Sequence, residues 1–389
     1  MIAIVGAGPA GLAAAIACGK EAVILERNPM AGKKLLLSGS GQCNFTNSCD
    51  SESFLKALGE FRNWLKPAFY AFDNRAFIRL LEDAGCPVFI REDGKAFPQS
   101  RKSADVRDTL LRLALSRGAT IRTACNISGI SIRDGGFTLS TDDSRQFAAS
   151  AIILAAGGAS WPQSGSDGSS YRLAQSLGHS IIPPRPALAS IRIKDYSAFC
   201  TCAGVSLKAS LYFGKHCATG DLLFTHTGFS GPLILDNSRS LNAGDHIYLC
   251  LADASQISAL IQNNPKKRVT SILQMLGLPQ SLAMALCNKH GIPADIAATN
   301  LKAPERKALT SLLEKTPFTI VGIEGLESSM SDFGGVSLRE VNAKTMQSRL
   351  IPGLYLAGES LAYSLPTGGF SIQMAVSTGY LAGKHANSV

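Results

Sequence analysis

The chain opens on a short, wholly apolar run, Ile2-Ala3-Ile4-Val5, that stops at Gly6. An apolar run of that length without alternation predicts a strand covered on both faces, as in a parallel sheet. Glycines and a proline follow, and the stretch from Pro9 to Cys18 is alanine-rich, predicting a buried helix. A second apolar run, Ala22-Val23-Ile24-Leu25, ends at Glu26. Strand, helix and strand in this order predict a βαβ unit. Much later, polar and apolar residues largely alternate from Ser206 to Phe213, as half-buried strands do. From about Ala254 to Lys315 the pattern turns helical, punctuated by Pro265, Pro279, Pro293 and Pro304. Strand-like text then returns and ends in LIPGLYLAGE, a buried strand running into Gly358.

The punctuation between the first strand and helix carries the first chemical signal. Glycines fall at Gly6, Gly8 and Gly11, in the order G-A-G-P-A-G. Gly6 allows a tight exit from the strand, and Gly8 lets the backbone approach a pyrophosphate. Gly11 lets the helix pack closely on the sheet. Pro9 and Ala10 lie between the second and third glycines, where the helix N-terminus presents N–H groups to phosphate. Glu26 stands 20 residues beyond Gly6, where a carboxylate accepts hydrogen bonds from adenosine ribose hydroxyls. An adenine dinucleotide is expected here. The glycines do not separate FAD from NAD, while Glu26 argues against NADP, whose 2′-phosphate would meet a carboxylate.

Composition changes this picture little. At 389 residues the chain has room for two or three domains and a large core. The 10 cysteines are scattered and the 6 histidines dispersed, so buried thiols are expected for most cysteines and no metal site is visible. The start lacks a cationic leader, since Lys20 is the first cation, and no later run is long and apolar enough to span a membrane; a cytoplasmic protein is expected. The net charge of +9 fits either RNA binding or an enzyme that uses cations for phosphates.

The stretch from Ala31 to Asn47, AGKKLLLSGSGQCNFTN, resembles the signature G-R-K-L-L-I-S-G-G-G-R-C-N-x-T-N of the HI0933-like flavoproteins. AFPQSRKSADV (Ala96 to Val106), ILAAGGASWPQSGSDGSSYRLAQSLGH, DLLFTHTGFSGPLIL, GGVSLREVNAKTMQSRLIPGLYLAGE and PTGGFSIQMAVSTGYLAG resemble further blocks of that family in the same order. The resemblance implies an α/β fold. A Rossmann-like FAD-binding domain of the three-layer ββα type is interrupted by a β-barrel-like insert and a small helical domain. The expected boundaries are 1–187 with 347–389 for the FAD-binding domain, 188–253 with 316–346 for the barrel, and 254–315 for the helices.

The resemblance also implies where non-covalent FAD is held. The first turn supplies Gly6, Gly8, Pro9, Ala10 and Gly11; the second strand's end supplies Glu26 and Arg27; the signature loop supplies Lys34, Gly39 and Asn44. Ala156 and Gly157 lie where the chain passes the cofactor, and Gly358 with Glu359 approaches the ribityl and phosphate portion. Gly368, Gly369 and Ile372 open a final helix whose amides face the flavin N1–C2 carbonyl edge and stabilise negative charge there. The chain departs from the family at Ser40 and Gln42, where glycine and arginine are usual. It departs again at Ala362, Ser364 and Ser371, where two acids and an asparagine are usual. These changes bear on substrate choice.

Two residues are candidate proton donors. Cys43 sits beside Asn44 in the glycine-rich loop, and a thiol there would protonate one carbon while hydride reaches its neighbour; a packed thiol is the alternative, and a disulfide with Cys49 is conceivable. His226 in the FTHTG segment is the second candidate, with a turn hydrogen bond as its alternative. Lys33, Lys34, Arg101 and Lys102 are candidate ligands for phosphate or an anionic substrate, with surface solvation the plainer reading of the last two. No second glycine fingerprint is present, so NADH or NADPH, if it is the electron donor, binds unconventionally. The expected function is an FAD-dependent reductase acting on a conjugated C=C or C=N bond of a small molecule. The alternatives are an RNA-modifying flavoenzyme that reduces uridine to dihydrouridine in ribosomal RNA, or a flavin-binding protein without turnover. The basic stretches Pro265-Lys266-Lys267-Arg268 and Arg306-Lys307 motivate RNA, and the scarcity of aromatics there counts against it. Oligomeric state is open.

Overall fold

The computed structural model describes residues 1–133 and 135–387. They pack into two compact units, one built from Met1–Ala187 and the chain from Leu326 onward, the other from Leu188–Gly325. In the first unit the strand Ile2–Val5 is central to a five-stranded sheet. Ala22–Leu25 and then Thr120–Arg122 lie on one side of it, Ala151–Leu154 and then Leu354–Leu356 on the other. All four pairings are parallel, and the register sets Ile4 between Ile24 and Ile153. Every residue of Ile2–Val5 and Ala151–Leu154 is buried, which is why both read as unbroken apolar runs. The strands Ile127–Arg133, Gly136–Thr141 and Gln146–Ala149 form a separate antiparallel sheet in the same unit.

The helix Pro9–Cys18 packs on the parallel sheet and against the last helix, Phe370–Ala386. The two backbones come so close that only small residues fit. A Cβ on Gly379 would stand 2.0 Å from the Ala10 carbonyl oxygen, and one on Gly383 would stand 2.4 Å from that of Ala14. Residues four apart share a helix face, so Ala10 with Ala14 and Gly379 with Gly383 form one continuous seam.

Residues 326–346 were expected with the insert, but the structure packs them in the first unit. The strand Ser331–Val336 pairs antiparallel with Ile181–Ala187, from Ala187 opposite Ser331 to Ile181 opposite Val336. That pairing is long-range, and neither strand alternates cleanly enough to announce its partner.

The second unit is a closed barrel of Ile191–Ile193, Gly228–Ser230, His216–Phe224, Ser206–Phe213, His246–Cys250 and Thr316–Ile323, in that order around the barrel. Its interior carries Phe199, Phe224, Phe229 and Phe318, with Phe229 and Phe318 rings edge-on at 4.8 Å. Four helices, Ile257–Asn263, Val269–Met275, Gln280–Lys289 and Ala303–Glu314, intervene between its last two strands and share its apolar core. All ten cysteines of the chain are free thiols. Among the described residues no helix is long and apolar enough to cross a membrane.

Candidate functional site

The turn after the first strand is dictated sterically. Gly6 has φ +102°, and a Cβ there would lie 2.6 Å from the Ala155 carbonyl oxygen; a Cβ on Gly11 would lie 1.9 Å from the Gly6 oxygen. Gly8 differs: its backbone is extended, and nothing lies within 4 Å of where its Cβ would stand. It is also the N-cap of the helix, with no side chain capping the first-turn amides and Pro9 just inside. The residues therefore fit a pyrophosphate, with open space at Gly8 and helix N–H groups that no protein side chain satisfies. Glu26 is 6% exposed, its Oε2 accepting the Ala7 N–H at 2.8 Å and its Oε1 accepting the Asn28 backbone N–H at 2.8 Å. It thus stitches the turn to the end of the second strand, and a carboxylate still has capacity for further donors. Arg27 reaches the 160s loop, pairing with Asp167 at 2.7 Å and donating to the Gly165 carbonyl at 3.2 Å.

The expected residues of the signature loop and the C-terminal blocks meet in two places. Lys34 Nζ lies 2.7 Å from Glu359 Oε2 and donates to Ser160 Oγ at 2.6 Å, while Ser331 Oγ donates to Glu359 Oε1 at 3.0 Å. Gly358, with φ +65°, donates its N–H to Thr378 Oγ1 at 3.0 Å, and a Cβ there would meet the Ala10 side chain at 2.9 Å. The strand end, the first helix and the last helix are thereby locked together. The second meeting point is the start of the last helix. Gly369 is its N-cap, left-handed at φ +95° and without a side-chain cap. A Cβ on Gly369 would stand 2.5 Å from the Thr46 oxygen and 2.7 Å from the Asn44 side-chain amide. Gly368 faces Lys95, whose Cε would lie 3.8 Å from a Cβ there. Gly39, left-handed at φ +55°, folds back over the Asn44 amide nitrogen. Ile372, one turn into the helix, is half-buried. Half-buried Ala156 precedes Gly157, whose φ of +82° turns the chain beside Ser166.

Next to this assembly lies a buried acidic centre that the sequence did not announce. Tyr171 donates to Asp332 Oδ2 at 2.6 Å, and the Ala159 N–H reaches Asp332 Oδ1 at 3.2 Å. A Cβ on Gly158 would stand 2.2 Å from that same carboxylate, so glycine makes room for it. Burial and then the nearby Glu359 charge push the Asp332 carboxyl up to about 6, against the Tyr171 hydrogen bond and the Lys34 charge. Burial likewise pushes the Tyr171 phenol up. The available signals were the Gly157-Gly158 pair and the glycines after Asp332, which mark close backbone approach but not what approaches. Lys95 was also missed; it bonds Asp93 at 3.0 Å and is 19% exposed.

The candidate proton donors do not join these groups. Cys43 has no exposed surface and a left-handed backbone at φ +59°, and burial pushes its thiol up to about 12. His226 is exposed in the second unit, in the turn before Gly228–Ser230, its carbonyl accepting the Cys200 thiol at 3.4 Å. Of the cations, Lys33 donates to the Gln163 carbonyl at 2.8 Å, and Arg306 is spent on the carbonyls of Leu301 and Thr299, both at 3.0 Å. Arg268 pairs with Asp295 at 3.3 Å.

The HI0933-like protein Rossmann domain family matches residues 1–385. The chain is 32% identical to a 3-dehydro-bile acid delta(4,6)-reductase of Clostridium scindens, over 99% of this chain and 98% of that one. It is 30% identical to a ribosomal RNA dihydrouridine synthase of Haemophilus influenzae, over 97% and 96%. In fold it is similar to a 3-ketosteroid-delta4-(5alpha)-dehydrogenase of Rhodococcus jostii, with a TM-score of 0.51, 16% identity, and 99% and 96% coverage. The chain belongs to the HI0933-like family and is a flavin-dependent oxidoreductase.

Proposed function

We propose that this chain holds FAD along the edge of its parallel sheet and reduces a conjugated C=C or C=N bond of a small molecule. The observation that carries the reading is end-to-end similarity, at 32% identity, to a relative named as a delta(4,6)-reductase. The geometry supports it through two helix N-termini in the same unit, at Gly8 and Gly369, that lack side-chain caps. When bound, FAD supplies the hydride chemistry.

The chain's own residues bind and orient. Amides after Gly8 receive the pyrophosphate, and Glu26 offers its spare acceptor sites to ribose hydroxyls. The Lys34–Glu359 pair and Gly358 fix the strand end that would hold the cofactor's ribityl portion. The dipole of the helix beginning at Gly369 would stabilise negative charge on a bound flavin. Cys43 takes no part in proton transfer in this reading, because a thiol with no exposed surface cannot touch a substrate. His226 remains a candidate donor. NADH or NADPH supplies the electrons.

Three measurements on the purified protein test the reading. It should carry, or take up, a flavin with an oxidised flavin spectrum; a colourless protein that refuses FAD sinks the proposal. Anaerobic NADH or NADPH should bleach that spectrum, and a 4-en-3-one steroid should restore it with loss of the double bond. A flavin that neither nucleotide bleaches removes both as donors.

The dihydrouridine synthase relative, 30% identical, favours a second reading in which the bond reduced is C5–C6 of uridine in ribosomal RNA. Mass analysis of ribosomal RNA from cells lacking the gene decides it: loss of a dihydrouridine establishes RNA as substrate, and an unchanged profile returns the case to small molecules.

A further inference from the structure

Three oxygens at the buried acidic centre need one proton more than Tyr171 can give. Tyr171 Oη lies 2.6 Å from Asp332 Oδ2 and 3.1 Å from the Glu359 carbonyl oxygen. A phenol has a single proton to donate, so it serves one of these acceptors at a time. It keeps that proton, because burial pushes its pKa up. The second gap is filled only when another proton lies in the row, and the Asp332 carboxyl is the group able to carry it. Protonated at Oδ2, Asp332 donates to Tyr171, and Tyr171 donates to the Glu359 carbonyl. Oδ1 stays an acceptor for the Ala159 N–H at 3.2 Å. Ionised, Asp332 claims the phenol for itself, and the Glu359 carbonyl loses this donor.

The surrounding charges point the same way. Lys34, whose charge reaches Asp332, is already paired with Glu359 at 2.7 Å, and Ser331 Oγ donates to the other Glu359 oxygen at 3.0 Å. Lys34 and Glu359 cancel as a unit, so an ionised Asp332 leaves one uncompensated negative charge. The other neighbours bring none: Tyr363 is a buried phenol with a raised pKa, and Pro186 stands opposite Asp332 on the paired strand. Asp332 is 2% exposed, while the Lys34 and Glu359 side chains keep 25% and 20%, so the acid lies beneath the pair. It touches both segments proposed above to run along the cofactor. A Cβ on Gly158 would meet its carboxylate, and Tyr171 links it to Glu359.

We propose that Asp332 is a positioning residue of the FAD site: its carboxyl takes up a proton from water when the cofactor binds. That proton completes the row through Tyr171 to the Glu359 carbonyl and holds the Gly358–Glu359 turn in place for FAD. The inference rests on the FAD reading above. The negative pyrophosphate and the deeper burial of Glu359 both disfavour an ionised Asp332, so its pKa is higher in the complex than the value of about 6 in the free protein. Affinity is therefore greatest below pH 6 and falls as pH rises through that value.

Calorimetric titration of the flavin-free full chain with FAD at pH 7, in buffers of different ionisation enthalpy, counts the protons taken up. The parent should take up roughly half a proton or more, and its Kd should rise by up to about tenfold per pH unit between pH 6 and 8. In Asp332→Asn the side-chain amide donates to Tyr171 as the protonated acid does. That variant should lose the uptake and match the parent at pH 5.5, yet bind FAD at least about tenfold more tightly at pH 8. A merely structural Asp332 would instead give weaker binding at every pH. Tyr171→Phe removes the hydrogen bond that favours the ionised acid, so the fall in affinity should begin at higher pH; this shift decides if Asp332→Asn fails to fold. A parent Kd that is flat from pH 5.5 to 8, an uptake unchanged in Asp332→Asn, or an onset unmoved in Tyr171→Phe overturns the proposal. Failure of parent and variants alike to bind FAD at any pH refutes the FAD reading, and this inference with it.

Discussion

Gly8 and Gly11 lie three residues apart, yet the same substitution should act on different properties. Gly8→Ala adds a methyl where the protein has open space and the backbone is extended, so thermal stability should hold to within about 0.5 kcal/mol. FAD affinity should fall at least about tenfold, because that methyl enters the phosphate's space. Gly11→Ala drives a methyl into the Gly6 carbonyl and should lower the melting temperature whether or not FAD is present. Equal melting losses in the two variants would contradict this assignment. Asp332 adds a pH dependence whose sign follows from its raised pKa. With an ordinary value of 3.8 and a folded value of about 6, the folded state favours the protonated acid. Below pH ~4 the group costs nothing, and stability is lost as pH rises through about 6, by at most about 3 kcal/mol. Unfolding by urea should show the parent losing ground to Asp332→Asn between pH 4.5 and 7.5; a constant difference between the two would refute the raised pKa. The glycines were legible in the sequence because each answers a local demand of its own turn. Asp332 was not, because its burial comes from Tyr171, Ala159 and Glu359, all distant along the chain.

Among the elements, those whose environment is written in their own period were readable. Ile2–Val5 is uniformly apolar because both faces are covered, and Ser206–Phe213 alternates because one face lines a barrel. The strand Ser331–Val336, with two glycines and an aspartate, has neither pattern, and its pairing with Ile181–Ala187 went unforeseen. The seam between the first and last helices shows the same limit: Gly379 and Gly383 have visible spacing, but nothing in it names Ala10 and Ala14 as the residues they meet. Gly383→Ala should therefore be costly although alanine is a better helix former, because the methyl collides with the Ala14 carbonyl. A loss of about 1–3 kcal/mol is expected, seen as a lower melting temperature together with weaker FAD retention, since the helix it collides with, Pro9–Cys18, carries Gly8 at its N-terminus. A variant as stable as the parent would show that the crossing can relax.

At the scale of the whole chain there are two apolar cores, one in each unit. Calorimetry should resolve two unfolding transitions, and FAD at a hundredfold excess over its Kd should stabilise only the first unit, by about 2.7 kcal/mol. A single transition that moves as a whole with FAD would mean the units unfold together. The sheet-and-barrel plan was legible in the sequence, but the insert's second boundary was not, since no proline or glycine cluster punctuates Gly325 and Leu326 as a linker would. The barrel's closure has a consequence for how such a chain can evolve. Its entering strand Ile191–Ile193 pairs directly with its departing strand Thr316–Ile323, Ile191 opposite Ile323. Paired residues of this kind lie roughly 5 Å apart, so the insert leaves its host nearly where it came in. To the Rossmann unit the whole second module is a short loop: it can be lengthened, exchanged for another closed module, or permuted, at little cost in chain entropy and with the host's sheet register intact.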